Sequence, residues 1–169
     1  VVLAQMGKKV CLIDADLRRP SVHLLMNVMN DTGLSQVFLQ SNQESLLKNF
    51  VKPTRIENLS VLPSGTLPPN PSDLLGSHKM DLILQELKQH FEIILIDAPP
   101  ALAVADAFVL LPKVQGTLLV MKPGSTQFRA ARLMVGQFRR LHANILGIAL
   151  NDVKMRESRY NHYYYGHPS

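Results

Sequence analysis

Short runs of consecutive apolar residues alternate along this chain with segments whose apolar positions recur at helical spacing. Val10, Cys11, Leu12 and Ile13 form one run, stopped by Asp14, and Ile93, Ile94, Leu95 and Ile96 form another, stopped by Asp97. Uninterrupted runs of this length predict strands buried on both faces of a parallel sheet. Residues 59–62, 116–122 and 145–151 read as further strands, the last as a core strand. Between them lie helical patterns over residues 21–26 and 33–39, and a helix containing Leu74 and Leu75 with Ser72 as its N-cap. A longer helix is expected from Lys79 to His90, with Met80, Ile83, Leu84 and Leu87 on one face. Another falls within residues 103–111, and an amphipathic helix over residues 125–141 turns Leu133, Phe138 and Leu141 inward. Strands alternating with helices predict an α/β domain with a mostly parallel sheet flanked by helices. Residues 1–6 read as the end of a helix, with Gly7 as its C-terminal cap and Lys8 and Lys9 favouring its negative end. From Lys154 onward the core periodicity stops, so residues 1–153 are expected as the domain and 154–169 as a flexible, tyrosine-rich tail.

The two acidic strand ends carry the candidate chemistry. In a parallel sheet the carboxyl ends of the strands open onto the crevice where ligands bind. Asp14, Asp16 and Asp97 are therefore expected in one crevice, with Asp14 and Asp16 on the same side of an extended strand end because they alternate by two. Neighbouring carboxylates repel unless a cation lies between them, and Mg²⁺ bridged to phosphates answers that need. Capping and loop hydrogen bonding is the plainer role for any single one of these aspartates. Arg18, two residues after Asp16, is a basic group able to neutralise charge developing on a phosphoryl group, or a salt-bridge partner that orients Asp16. Arg19 is expected to be exposed. Pro99 and Pro100 restrict the backbone after Asp97, as a switch loop or as a rigid strand exit.

The segment Leu12-Ile13-Asp14-Ala15-Asp16-Leu17-Arg18 resembles the second nucleotide motif, Walker A′, of bacterial tyrosine kinases of the capsular and exopolysaccharide family. The segment Ile93 to Pro100 resembles their Walker B motif. Pro63-Ser64-Gly65-Thr66-Leu67-Pro68-Pro69-Asn70-Pro71-Ser72-Asp73-Leu74-Leu75 is similar to the family's P-x-G-x-x-P-P-N-P-x-E-L-L loop, with Asp73 where Glu is usual. The resemblance implies a deviant P-loop NTPase (MinD/ParA-like) fold, ATP and Mg²⁺ as cofactors, and tyrosine phosphorylation. It makes Asp14 or Asp16 the base for the acceptor hydroxyl, leaves open which, and gives Asp97 a water-mediated hold on Mg²⁺. It places an adenine-contacting residue at Asn151, which otherwise reads as a turn-forming Asn before Asp152. It makes Tyr160, Tyr163, Tyr164 and Tyr165 the phosphoacceptor cluster, whose plainer reading is a disordered tail with incidental aromatics. It further implies identical subunits in a ring, a membrane adaptor segment, a phosphotyrosine phosphatase, and a cytoplasmic location at the inner face of the membrane. The family's Gly-rich phosphate loop, ending Gly-Lys-Ser/Thr, has no counterpart here, so the chain is expected to be truncated just after that loop and to bind ATP poorly by itself. A partitioning or positioning ATPase would share Asp14, Asp97 and the sheet without needing the tyrosines.

Composition adds little to this picture. The length of 169 residues and hydrophobic content of 46% suit one globular core. The single cysteine, Cys11, lies in an apolar run and can form no internal disulfide. The six histidines show no metal-ligand spacing. A net charge of +5 is compatible with phosphate ligands, acidic membranes or nucleic acid, and it specifies none of them; no specific nucleic-acid partner is implied. No apolar run reaches membrane-spanning length: residues 93–111 are interrupted by Asp97, Pro99, Pro100 and Asp106.

Overall fold

The computed structural model of the chain describes residues 1–40 and 49–153. They form two compact units, residues 1–115 and residues from Gly116 onward.

The first unit is built on a four-stranded sheet. Its strands are β1 (Val10–Asp14), β2 (Lys52–Pro53), β3 (Leu59–Leu62) and β4 (Ile93–Asp97), in the order β2-β3-β1-β4. β1 runs parallel to both of its neighbours, β3 and β4, while β2 adds an antiparallel edge. The apolar run of β1 follows from this central place: Val10, Cys11 and Ile13 are almost wholly buried. β2 has no apolar run, which is why the hydrophobic pattern does not predict it; Pro53 is tolerable there because only one side of the strand is paired.

Helices α1 (Val2–Gln5), α2 (Val22–Met26), α3 (Leu34–Val37), α4 (Pro71–Gly76), α5 (His78–His90) and α6 (Asp106–Leu110) complete the unit, and a 3₁₀ turn follows at Leu111–Lys113. α1 ends as its sequence requires: Gly7 adopts φ +82°, and its N–H donates to the Ala4 carbonyl at 2.9 Å. α5 buries Met80, Ile83, Leu84 and Leu87 as expected. They pack with Cys11, Ile13, Leu62 and Leu75 into the main core. Burying each such side chain contributes roughly 1.5–3 kcal/mol. Ser72 is not the cap of α4. Asn70 occupies that position and Pro71 opens the helix, where its missing N–H costs nothing, so Ser72 lies inside the first turn.

The second unit contains β5 (Thr117–Met121), α7 (Phe128–Arg140) and β6 (Ile145–Leu150), with β5 and β6 paired in parallel as their own two-stranded sheet. Two expectations fail here. α7 buries Met134 and Phe138, one helical step of four apart, whereas Leu133 lies off that stripe and is exposed, and Leu141 falls beyond the last helical residue and is exposed too. β6 is not a core strand along its whole length, because Leu146, Ile148 and Leu150 are exposed and alternate with half-buried neighbours.

Candidate active site at the acidic strand ends

β1 and β4 run in register, so Asp14 stands directly beside Asp97 at the carboxyl end of the sheet. The ladder continues one step further, with the Ala15 N–H donating to the Asp97 carbonyl at 2.8 Å. Two strands that stop at the same level thus bring residues 83 positions apart in sequence side by side.

Asp14 is fully buried. Its Oδ2 accepts the backbone N–H groups of Ser21 and Val22, at 3.2 and 3.0 Å, and so anchors the start of α2. Its Oδ1 is buried without a hydrogen-bond partner. An ionised oxygen in that state is costly, and an unsatisfied buried acceptor calls for a ligand or cation to meet it. Burial pushes the Asp14 carboxyl above its ordinary pKa, and the charge of Asp97 adds to the rise against the opposing backbone donors. The Asp97 carboxyl is also raised, first by desolvation and then by the charge of Asp16. The three carboxylates therefore share one electrostatic neighbourhood.

β1 ends at Asp14, and Asp16 lies in the following turn, where its Oδ1 accepts the N–H groups of Arg18 and Arg19 at 3.1 and 2.9 Å. A short carboxylate can satisfy two such amides at once. Asp16 thus has the capping role weighed for it, while its charge still reaches Asp97.

Arg18 does not bridge to Asp16. Its Nε and Nη2 donate to Asp106 Oδ2 and Oδ1 at 2.7 and 3.0 Å, a two-pronged pair across 88 positions. Asp106 is fully buried at the first turn of α6, and the Ser72 hydroxyl also donates to its Oδ1. Arg18 and then Ser72 hold the Asp106 carboxyl below its ordinary pKa against the cost of burial. The hydrophobic pattern marks Asp106 only as a break in an apolar run; its partners lie far away in the chain, and nothing local announces them. Arg19 is exposed, as expected.

Asn151 lies in the second unit, directly after β6, and its N–H donates to the Met121 carbonyl at 2.8 Å. The tyrosines at 160, 163, 164 and 165 lie outside the described residues.

A bound Mg²⁺ is compatible with the acids present. Mg²⁺ typically takes one or two carboxylates, completing its shell with waters and substrate phosphates. Asp14 Oδ1 offers one unsatisfied oxygen and Asp97 a second carboxylate in register. Among the described residues no group of three or more acidic, histidine or cysteine side chains could enclose a metal by itself. The arrangement suits a shared phosphate–metal site better than an all-protein cage.

The Pro-rich segment is clamped beside these elements. Asn30 Oδ1 accepts the Gly65 N–H at 2.8 Å and the Ser64 hydroxyl at 3.1 Å, while the Leu34 N–H donates to the Pro63 carbonyl at 2.7 Å. A side chain at Gly33 would collide with the Pro63 carbonyl and the Gly65 N–H, so the two loops meet backbone to backbone.

A family model described as an AAA domain matches residues 1–121. The chain is 38% identical over 164 residues to the tyrosine-protein kinase YwqD of Bacillus subtilis, covering 96% of this chain and 68% of that protein. Its fold matches the kinase domain of Escherichia coli tyrosine kinase ETK with a TM-score of 0.84 and 35% identity, over 98% of this chain and 63% of that one. The septum site-determining protein MinD of Pyrococcus horikoshii, at 23% identity and a TM-score of 0.68 over 88% of this chain and 59% of that one, shares the fold. The expected P-loop NTPase architecture of the MinD type is therefore the one observed, and with these motifs, this register and these relatives the chain belongs to the bacterial tyrosine-protein kinases.

Proposed function

We propose that the strand-end crevice belongs to an ATP-dependent protein tyrosine kinase and that Asp14 and Asp97 are the acids that face the nucleotide. The observation that carries this reading is their in-register pairing with an unsatisfied, buried Asp14 Oδ1. Phosphoryl transfer asks a protein mainly for positioning and charge neutralisation. The raised carboxyls match that demand, since two neighbouring anions, of which Asp14 is fully buried, gain from a cation that they do not themselves supply. Bound Mg²⁺ would supply charge neutralisation for the nucleotide phosphates. Asp14 or Asp16 then takes the proton from an acceptor phenol, and Arg18 lends positive charge at the crevice edge. Tyr160, Tyr163, Tyr164 and Tyr165 are the proposed acceptors. Residues 1–153 act as the kinase domain and 154–169 as its substrate tail. Asn151 contacts the adenine.

The wider role follows from the family: regulation of capsular or exopolysaccharide synthesis at the inner face of the cell membrane. The partners are identical subunits, a membrane adaptor segment and a phosphotyrosine phosphatase. Among the described residues no helix is long and apolar enough to cross a membrane, so attachment would come through such an adaptor or a further segment.

The test incubates the full-length gene product with ATP and Mg²⁺ and maps modified residues by mass spectrometry. Phosphotyrosine within residues 160–165 is expected. ATP hydrolysis without phosphotyrosine, together with DNA binding that falls steeply as salt rises, would favour a positioning ATPase on the same fold.

A further inference from the structure

Three segments far apart in sequence converge on one buried carboxylate. Asp106 receives Arg18 from the turn after β1 and Ser72 from the helix that ends the Pro-rich segment, while itself opening the helix after β4. We infer that Asp106 is a positioning residue for Arg18, and that Ser72 ties the Pro-rich segment to the same device. The inference rests on the kinase reading and extends it to two residues that the nucleotide motifs do not contain.

The geometry carries this argument. A two-pronged bond fixes the plane of a guanidinium as well as its distance, which one point contact cannot do. The bonds occupy the Nε–Nη2 edge of Arg18, and Nη1 takes no part in them. The Arg18 side chain is 43% exposed while the Asp106 side chain is wholly buried, so one end of the pair is rigid and the other reaches the surface. An unpaired arginine at that exposure would sample many rotamers. The Arg18 backbone N–H donates to Asp16 Oδ1 at 3.1 Å, so Arg18 belongs to the turn that carries one of the three acids, and the charge of Asp16 acts on its guanidinium. The Ser72 hydroxyl takes part of the remaining acceptor capacity of Asp106 and thereby limits the carboxylate's own rotation. The Pro-rich segment thereby takes part in holding Arg18, because Pro71 starts a helix in which the next residue donates to Asp106.

The experiment compares wild type, Asp106→Asn, Arg18→Ala, their double variant and Ser72→Ala in the full-length gene product. Tyrosine phosphorylation kinetics are measured alongside the Nε–H resonance of Arg18 in arginine-labelled protein. Asp106→Asn is expected to lower kcat roughly 10–100-fold, the usual range for losing a group that orients a functional side chain, with KM for ATP within about twofold. The double variant should be no slower than Arg18→Ala alone, because the two residues act as one unit. The Arg18 Nε–H signal should shift and exchange faster with solvent in Asp106→Asn. A kcat within twofold of wild type in Asp106→Asn, or a double variant whose loss is the product of the single losses, overturns the inference. If Asp106→Asn does not fold, Ser72→Ala decides: a shifted Nε–H signal with a severalfold lower kcat supports the inference, and neither change overturns it. A wild-type protein that forms no phosphotyrosine sinks the kinase reading itself, whereas failure of this inference alone leaves wild type active.

Discussion

Asp14 and Asp97 illustrate how function and stability oppose each other at single residues. Both carboxyls are raised above their ordinary range, so ionising them works against the fold. For such a group, stability is fully present below the unfolded pKa and is lost as pH rises through the folded one. Asp97→Asn is therefore expected to raise the melting temperature at pH 7 in the absence of nucleotide. Because Asp97 is exposed, the aqueous Coulomb figure of about 1 kcal/mol applies, worth about 2–4 °C. The advantage should shrink as pH falls to about 4, where wild type also becomes neutral. Thermal unfolding across that range checks it; a destabilised Asp97→Asn at neutral pH would mean that the carboxylate is a structural acceptor. At this scale the sequence revealed part of the site. Asp14 and Asp97 were legible because an apolar strand that ends in Asp exposes its chemistry locally. The Arg18–Asp106–Ser72 connection was not, because an ion pair spanning 88 positions depends on which loops the fold brings together. Asp16 was half legible: its place in the motif was evident, but its two turn hydrogen bonds depend on where β1 stops.

Among the elements, legibility follows burial. α5 presents four apolar residues at helical spacing to the main core, and its sequence pattern and structure agree. α7 shows the opposite case. Its apolar residues are more widely spread, and only Met134 and Phe138 are buried. Periodicity counts apolar residues without knowing which face will be covered, so Leu133 and Leu141 looked equivalent to Phe138. The short β2 strand escaped because its two residues carry no period at all. The Pro-rich segment yields a prediction that belongs to this scale. Gly65 has φ +75°, and a side chain there would press on Ser35 Oγ at 2.6 Å and on the Gly33 N–H at 2.9 Å. Gly65→Ala should cost about 1–3 kcal/mol through backbone strain and overpacking. Gly76→Ala is the matched control: its new methyl would meet Val109 at an ordinary 3.5 Å, and the change should stay within about 0.5 kcal/mol. Urea unfolding of both variants checks the pair. Equal stability would show that the contact between the Pro-rich segment and the α3 entry is loose.

At the scale of the molecule, the α/β class was legible from the alternation of strand and helix patterns, and the fold is shared with kinase domains and with MinD-type ATPases alike. That sharing is why fold by itself does not name the reaction. The kinase reading claims that one nucleotide–metal complex sits against both acidic strand ends, as it would in a positioning ATPase, and that tyrosines are modified, which alone separates the two readings. The strand register makes the first half of that claim directly measurable. Mn²⁺, a paramagnetic stand-in for Mg²⁺, is added with a non-hydrolysable ATP analogue to the full-length gene product carrying labelled aspartates. If both strand ends face the metal, the carboxyl signals of Asp14 and Asp97 broaden first and together, and Asp97→Asn weakens the effect at Asp14. Broadening centred on other carboxylates, with Asp14 and Asp97 left sharp at saturating nucleotide, would contradict it.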